Sequence, residues 1–447
     1  MRKFSFFLCL VFLSLGASVN AEEREGYVTA LRPPSGFTLG GQQVLVNQRT
    51  EIYGFSTDSN QSSPFRLDLI QPGNRLAIKG KEDTRTRTFL AQIIDLLPDK
   101  SQIHISGTGQ EDKPPALTQE GKGWHGNIYV DGYAITVTPE TYVTFPANGS
   151  DFLAFHPNWR VHYEAARQRD ASILASKVNF VLDDHAADVR EFRAENDYKI
   201  DLPDYDKGIQ GTVHFFLHSV HIIPNKALNE KVTSIGESLV PAWQKQLDDK
   251  DPGKIHFRFY ILEHTKPLSS LFSNDAGTVL IPIDVLLELK SEAQLASLLA
   301  AQIASSIGGY EYRSRSHKDA ELVTGIGSYA GAGIAGLLIN KAAYSNAYWK
   351  PLAERTFRVG IQYMVAAGYD PRQASIAQQR ITEKHPDGKD HPNRLSEYID
   401  TELAFRYQQV DFNGLRTGET EYAALLDLAK AADPKAVQSG KTRLTDR

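Results

Sequence analysis

Cysteine is almost missing from this sequence, and so is any excess of positive charge. The single cysteine among 447 residues, Cys9, excludes a disulfide framework, a zinc ribbon, an iron–sulfur centre and a CxxC redox motif. With 49 basic and 54 acidic residues the net charge is −5, so no basic field indicates binding to nucleic acid. The remaining balance, 41% hydrophobic and 23% charged residues, is typical of a globular protein of about two to four domains.

Residues 1–21 have the pattern of a secretory signal peptide. Arg2 and Lys3 precede an apolar run from Phe4 to Leu15, and small residues lead to a cleavage site after Ala21. The run is short for a membrane span of about 20 residues, although a retained anchor is the alternative. Cleavage would remove Arg2, Lys3 and no acid, which leaves a mature net charge of −7. We therefore predict a bacterial protein exported to the periplasm or the medium.

Two consecutive segments read as similar all-β units, residues 22–98 and 99–182. Short β-favouring runs separated by Gly and Pro turns fill both segments. Thr141 falls where Thr50 falls, and Pro157 to Val161 aligns with Pro72 to Leu76. Both units resemble small OB-like barrel domains of unknown function in exported bacterial proteins, a resemblance that implies no known chemistry.

The rest of the chain is expected to be mostly helical. A charged linker is predicted at 183–208, an α+β domain at 209–430 and a flexible tail at 431–447. Strands are expected near 256–262 and 278–283, followed by long helices. His214, His218 and His221 would share a face of a helix, but the flanking residues favour a strand and hence a surface or packing role over a metal site.

One helix carries the main resemblance. The run Leu295 to Ser305 follows a hydrophobic strand and a Leu-rich turn. It is similar to the zinc-binding helix of HtpX-like and Ste24-like metallopeptidases, which reads roughly L-A-x-V-L-A-H-E-I-G-H. The resemblance implies a zincin-like fold over about residues 222–403, and hence the fold class: a multidomain chain of two tandem small all-β barrels followed by a mostly helical, zincin-like α+β domain.

The zinc motif itself is degenerate in this chain. In H-E-x-x-H, two histidines on one helix face bind zinc and the glutamate accepts a proton from the metal-bound water. Here Ala301 and Ser305 stand at the histidine positions, and Gln302 stands at the glutamate position. The resemblance therefore implies a site that has lost its catalytic groups.

The third ligand of the family is also absent at its expected place. Counting back from Gly360 and the turn Ala367 to Pro371 puts Ala353 at the glutamate ligand and Phe357 at the neighbouring aspartate. Glu354 lies one residue away and could pair with Arg358 at i,i+4. We expect Phe357 to fill the space that the metal site has left.

Two classes of function follow. The first is a non-catalytic, metallopeptidase-like envelope protein without a cofactor that binds a peptide or protein partner. Backbone pairing at a candidate edge strand would capture the peptide; its residues are Gly277, Thr278, Val279, Leu280 and Ile281. The alternative is a zinc-dependent endopeptidase with a displaced site at His317, Glu354 and His391. The apolar run 326–339 could in addition contact a membrane peripherally.

Overall fold

The computed structural model describes residues 22–436 with gaps. The gaps are 40–41, 57, 59–60, 64, 72, 84–87, 99–103, 114, 147–158, 169–171, 183–185, 215–218, 265–270, 314–348, 384–393, 407–411, 413 and 435. Several β-sheets form the N-terminal part of the chain, and helices dominate the C-terminal part. The predicted signal peptide, most of the tail and the run 326–339 lie outside the described residues. No helix in the described ranges is long and apolar enough to cross a membrane.

The first β-unit, residues 22–97, is a single seven-stranded sheet. Its order is β3-β2-β1-β6-β7-β4-β5, and a further pairing between β3 and β7 joins five of the strands into a ring. The strands are β1 Glu22–Arg32, β2 Gly36–Leu39, β3 Gln42–Leu45, β4 Glu51–Tyr53, β5 Ser62–Ser63, β6 Arg75–Asp83 and β7 Thr88–Leu97, with a 3₁₀ turn at Leu67–Leu69. Alternating apolar residues, among them Phe37, Ile78 and Phe89, fill its core.

The second β-unit, residues 104–182, repeats this arrangement. Its strands are β8 His104–Gln110, β9 Ala116–Glu120, β10 Gly123–Val130, β11 Tyr133–Val137, β12 Tyr142–Thr144, β13 Trp159–Arg167 and β14 Ile173–Leu182. The run β8-β13-β14-β12 corresponds to β1-β6-β7-β4 of the first unit, with the same parallel and antiparallel pairings. The two hairpins β6–β7 and β13–β14 even carry a register shift at matching places.

The two threonines aligned in the sequence make the same hydrogen bonds. Thr50 Oγ1 donates to the carbonyl of Ala91 at 2.8 Å, and Thr141 Oγ1 donates to the carbonyl of Ala175 at 2.9 Å. Each hydroxyl also accepts the backbone N–H three residues earlier. The predicted repeat is thus present in the hydrogen bonding as well as in the strand order.

Removing either threonine hydroxyl is expected to cost a similar amount of stability. Thr50→Val and Thr141→Val each leave a buried N–H and a carbonyl short of a partner, which should lower the free energy of unfolding by about 1 to 3 kcal/mol. Urea denaturation of the full chain measures both, with the half-buried Thr38→Val as the control. A large cost at one threonine and none at the other would contradict their equivalence.

The C-terminal part contains a third sheet of order β15-β16-β17-β18-β20-β19. Its strands are β15 Lys199–Asp201, β16 Gly211–His214, β17 Ser219–Ile222, β18 Arg258–Leu262, β19 Phe272–Ser273 and β20 Thr278–Pro282. The segment predicted as a linker is ordered in part, because it contains a helix, Ala186–Glu195, as well as β15. This helix lies at the surface, which accounts for the many charged residues in the segment. Among its described side chains, Val189 is the one apolar residue that is buried.

Ten helices are described. They are α1 Ala186–Glu195, α2 Lys226–Leu239, α3 Ala242–Gln246, α4 Ile283–Glu288, α5 Glu292–Gly308, α6 Tyr310–Arg313, α7 Trp349–Ala366, α8 Gln373–Glu383, α9 Arg394–Arg406 and α10 Glu419–Ala432. Helix α5 lies at the centre of the largest apolar core, with α2, α7, α8 and the third sheet around it. The strands expected near 256–262 and 278–283 are β18 and β20, and long helices follow them in the chain, as expected.

Candidate functional site

Helix α5 is buried along its whole length. Ser291 caps its first turn by accepting the N–H of Gln294 at 3.2 Å, and Gly309 ends it in the left-handed conformation. Apart from Glu292, Gln294 and Gln302, the residues between these caps are apolar or small on every side of the helix, which fits its burial from Ala293 to Gly308. This burial makes every polar side chain on α5 costly unless it is paired.

Helix α7 packs closely against α5. At Gly360, a Cβ atom would lie 3.1 Å from the backbone nitrogen of Ala301 and 3.2 Å from the carbonyl carbon of Ala300. The absence of a side chain at Gly360 therefore allows the two backbones to meet at the first histidine position of the degenerate motif. The sequence identified both residues without indicating that they touch.

The five degenerate positions are buried. Solvent reaches at most 3% of the surface of each of Ala301, Gln302, Ser305, Ala353 and Phe357. Phe357 belongs to the same apolar cluster as Ala301 and Ala353, and its occupation of a former metal site stays a prediction. Neither polar atom of the Gln302 amide has a hydrogen-bond partner among the described residues, and the same holds for a single buried polar atom of Asn229 in the helical part.

These residues do not fit a zinc ion. Two alanines offer no donor atom, a serine hydroxyl is a poor substitute for imidazole, and a glutamine amide cannot accept a proton from metal-bound water. Across the described ranges, no group of three or more His, Cys, Asp and Glu side chains is arranged to hold a metal. The structure thus supplies no chemistry that would pass through zinc at α5 and α7.

The residues of the alternative, displaced zinc site are only partly described. His317 and His391 lie outside the described residues, and Glu354 is half-buried on α7. Arg358, the predicted partner of Glu354, donates to the backbone carbonyl of Asp131 at 2.5 Å and to the hydroxyl of Tyr398 at 2.6 Å. The displaced site therefore stays a prediction.

The predicted peptide-binding edge is wrong, because another strand covers it. Phe272 and Ser273 of β19 pair antiparallel with Leu280 and Val279 of β20, while β18 pairs with the other side of β20. Gly277 and every residue of β20, including Thr278 and Ile281, are buried, and so is β19. The sequence missed this because two residues are too short a run to give a strand pattern.

Two of the three clustered histidines lie on strands, as the flanking residues indicated. His214 ends β16 and His221 lies in β17, whereas His218 is outside the described residues. His214 contacts Asp201 and Ser219, at 2.8 Å and 3.0 Å, and His221 contacts the hydroxyl of Thr212 at 3.2 Å. These contacts fit the surface role of the cluster.

A buried carboxyl group that the sequence did not single out caps the short helix α6. Asp275, in the turn before β20, accepts the N–H groups of Glu311 and Tyr312 at 3.2 Å and 2.8 Å. Burial and the nearby charge of Glu311 raise the pKa of Asp275 to about 7, against the opposing effect of Arg193. The folded protein therefore binds a proton here more readily than the unfolded chain does.

This pKa shift predicts a pH-dependent stability. A carboxyl with a raised folded pKa contributes fully below its unfolded pKa, about 3.9, and loses that contribution as the pH rises towards 7. The stability of the wild type relative to Asp275→Asn should thus fall by about 1 to 4 kcal/mol between pH 4 and pH 8. Urea denaturation of both chains across this range measures it. A difference that does not vary with pH would contradict the shift.

A second polar pair missed by the sequence joins His264 and Asp284. The imidazole Nδ1 lies 2.7 Å and 2.8 Å from the two carboxylate oxygens, and the backbone N–H of His264 donates to Asp433 at 2.9 Å. The pair connects the end of β18 with the start of α4 and the C-terminal segment. Its members are distant in sequence, so no spacing could have revealed it.

A buried polar contact joins the C-terminal part to the second β-unit. The hairpin turn between β10 and β11 brings Asp131 against helix α7, where its carboxylate pairs with Arg355 and also accepts from the hydroxyl of Tyr163 at 3.3 Å. Asp131 and Arg358 are both at least nine-tenths buried, and Arg358 stacks over the ring of Tyr133 at 4.1 Å. We call Asp131, Arg355, Arg358, Tyr133 and Tyr163 the Asp131 cluster.

Comparison with known proteins reaches only part of this chain. No curated protein matches it. One family does match the first β-unit, whose strands the structure describes from Glu22 to Leu97. Over residues 25–95 this chain is similar to a family described only as a domain of unknown function, DUF5666.

Proposed function

We propose that this is an exported, non-catalytic protein in which a metallopeptidase-like helical domain serves as a scaffold for two β-units that bind partners in the cell envelope. One observation carries the proposal. The positions that would ligate zinc and activate water hold Ala301, Gln302, Ser305 and Ala353, all of them inside the core. A buried site without an imidazole, a carboxylate or a base supports packing, not hydrolysis.

The docking of the second β-unit supports the scaffold role. Its Asp131 turn is fixed on α7 by a buried ion pair, and Arg167 of β13 lies 3.7 Å from Glu402 of α9, with both side chains buried. The outer strands of that unit stay exposed. Because β19 and β20 are buried, we propose that partners bind to the β-units and not to the third sheet.

A proteolysis assay tests the absence of catalysis. The chain from residue 22 to 447 is incubated with casein and with a library of quenched fluorescent peptides, with added zinc or with a chelator. We expect no cleavage in either condition. Cleavage that zinc restores and a chelator removes would contradict the proposal, and its loss in Glu354→Ala would point to the displaced site. The exposed Glu51→Ala serves as the control variant.

A further inference from the structure

The outer face of the second β-unit carries two rows of polar side chains across four adjacent strands. In the first row, Ser106, Glu164, Lys177 and Tyr142 are register neighbours on β8, β13, β14 and β12. In the second row the neighbours are Thr108, His162, Asn179 and Thr144. Because strands lie about 4.8 Å apart, each row is about 14 Å long.

All eight side chains face away from the core. Between them along the strands, Val161, Tyr163 and Val178 point inward and are buried, as the alternation of a strand requires. A groove of about 430 Å³ runs over this face, lined by the members of both rows on β8, β13 and β14, while Tyr142 and Thr144 of β12 lie next to it in register. The groove is therefore built on rigid sheet and not on loops.

Contacts within the rows hold several side chains in place. Thr108 Oγ1 lies 2.5 Å from His162 Nδ1, Thr144 donates to Asn179 Oδ1 at 2.5 Å, and Lys177 lies 3.6 Å from Glu164. These contacts use Nδ1 of the His162 imidazole and Oδ1 of the Asn179 amide. His162 Nε2 and the Asn179 NH₂ group make no contact with another described residue, so both are available to a ligand.

The net charge of this face indicates which class of ligand it can bind. Its one acid, Glu164, is paired with its one base, Lys177, so the face is neutral and does not favour phosphate or another anion. The central strands β13 and β14 are paired on both sides, so the middle of this face presents side chains and no free backbone edge to a peptide, whereas β8 and β12 are each paired on one side only among the described strands. What remains is a flat set of amide, hydroxyl and imidazole groups beside an aromatic ring, since Tyr142 at the end of the first row is 63% exposed.

The first β-unit offers an internal comparison. The same face there carries Glu23, Lys79, Ile93 and Glu51 in one row, and Glu25, Ala77, Asp95 and Tyr53 in the other. Four acids and one base make that face acidic, as on an ordinary solvated sheet. The neutral, hydrogen-bonding rows are thus specific to the second unit and do not follow from the shared fold.

We propose that this face of the second β-unit binds a neutral oligosaccharide. Sugar hydroxyls both donate and accept hydrogen bonds, which matches Asn179, His162 and Ser106, and the apolar face of a pyranose ring would stack on Tyr142. The rows are long enough for a few sugar rings. The inference goes beyond the proposed function and does not depend on the ancestry of the helical domain.

Titration of the chain 22–447 with cellotetraose, chitotetraose and maltotetraose, followed by calorimetry and by backbone amide shifts, tests the proposal. We expect at least one of them to bind with a Kd below about 1 mM, as is usual for small polar ligands in shallow sites, and to shift amides of β12, β13 and β14. Tyr142→Ala should weaken that binding tenfold or more, whereas Tyr142→Phe retains the ring and should keep it within threefold.

Asn179→Ala should also weaken binding, while the exposed Leu182→Ala, beyond the rows on β14, is the matched control. These are surface positions, and the circular dichroism spectrum of each variant verifies that it folds. No shift with any of the three sugars at 10 mM would overturn the proposal. So would binding that Tyr142→Ala leaves unchanged, or a preference for a sulfated tetrasaccharide or an extended peptide over all three.

Discussion

Replacing Asp131 by asparagine is expected to lower the free energy of unfolding by about 3 to 5 kcal/mol. The variant keeps the shape of the side chain and removes its charge, so the Arg355 guanidinium stays buried without its anion. Burial alone would lower the pKa of Arg355, yet the Asp131 carboxylate, with Tyr310 and Tyr163, raises it. In the variant, burial still lowers the pKa of Arg355, but the charge of Asp131 no longer raises it.

The backbone at residue 131 does not confuse this test. Asp131 has φ of 55°, in the left-handed region, and asparagine adopts this conformation at least as readily as aspartate. Gly132 must remain glycine, because a Cβ there would lie 2.9 Å from the backbone of Arg358. The cost of Asp131→Asn therefore reports the ion pair.

Urea denaturation and hydrogen exchange measure the effect together. Exchange should rise in the hairpin β10–β11 and in α7, and less in the first β-unit, which the Asp131 cluster does not contact. The exposed pair Arg66 and Asp68 provides a control, since an exposed ion pair contributes little and Asp68→Asn should leave the stability nearly unchanged. A similarly small effect for Asp131→Asn would show that the cluster does not hold the second β-unit on α7.

Truncating Phe357 to alanine is the second large expected effect, a loss of about 3 to 5 kcal/mol. The ring is buried on α7 in the core that also contains Ala301. If it fills the space of a lost metal site, leucine should be tolerated better, at about 1 kcal/mol.

A double-mutant cycle distinguishes this from an ordinary core cavity. Ala301→Leu alone should destabilise the chain by overpacking, but in the Phe357→Ala background it should restore part of the loss. Thermal and urea unfolding of the four chains give the coupling energy. Strict additivity would mean that the ring and residue 301 do not share one space, and the hypothesis for Phe357 would fail.

The sequence predicted what local patterns determine. Short β-favouring runs and turn residues predicted the two β-units and their repeat, and the apolar run Leu295 to Ser305 predicted the helix that is α5. It could not predict contacts between distant segments. Asp131 reads as a turn residue, Arg355 and Arg358 read as the surface of a helix, and only packing turns them into a buried cluster.

The same distinction applies to the candidate sites: residue types identify some of them, and contacts between distant segments decide the others. The degenerate positions could be read from residue types alone, because alanine cannot ligate a metal wherever it lies. The peptide edge could not, since its accessibility depends on β19, a strand of two residues. The neutral face of the second β-unit also escaped the sequence, because its rows are assembled across four strands that are up to about 70 residues apart, a separation that strand pairing alone bridges.

We propose that α5 and α7 form a zincin-like pair whose metal site has become core, and the proposed function depends on this hypothesis. Rebuilding the site tests it most directly, in the variant Ala301→His, Ser305→His, Ala353→Glu and Phe357→Asp of the chain 22–447. Bound zinc is measured by elemental analysis after dialysis, and cobalt substitution reports the coordination geometry. We expect about one tetrahedral metal per rebuilt chain and less than about a tenth of that in the wild type. A folded variant that binds no metal, or a wild type that holds one zinc, would contradict the claim.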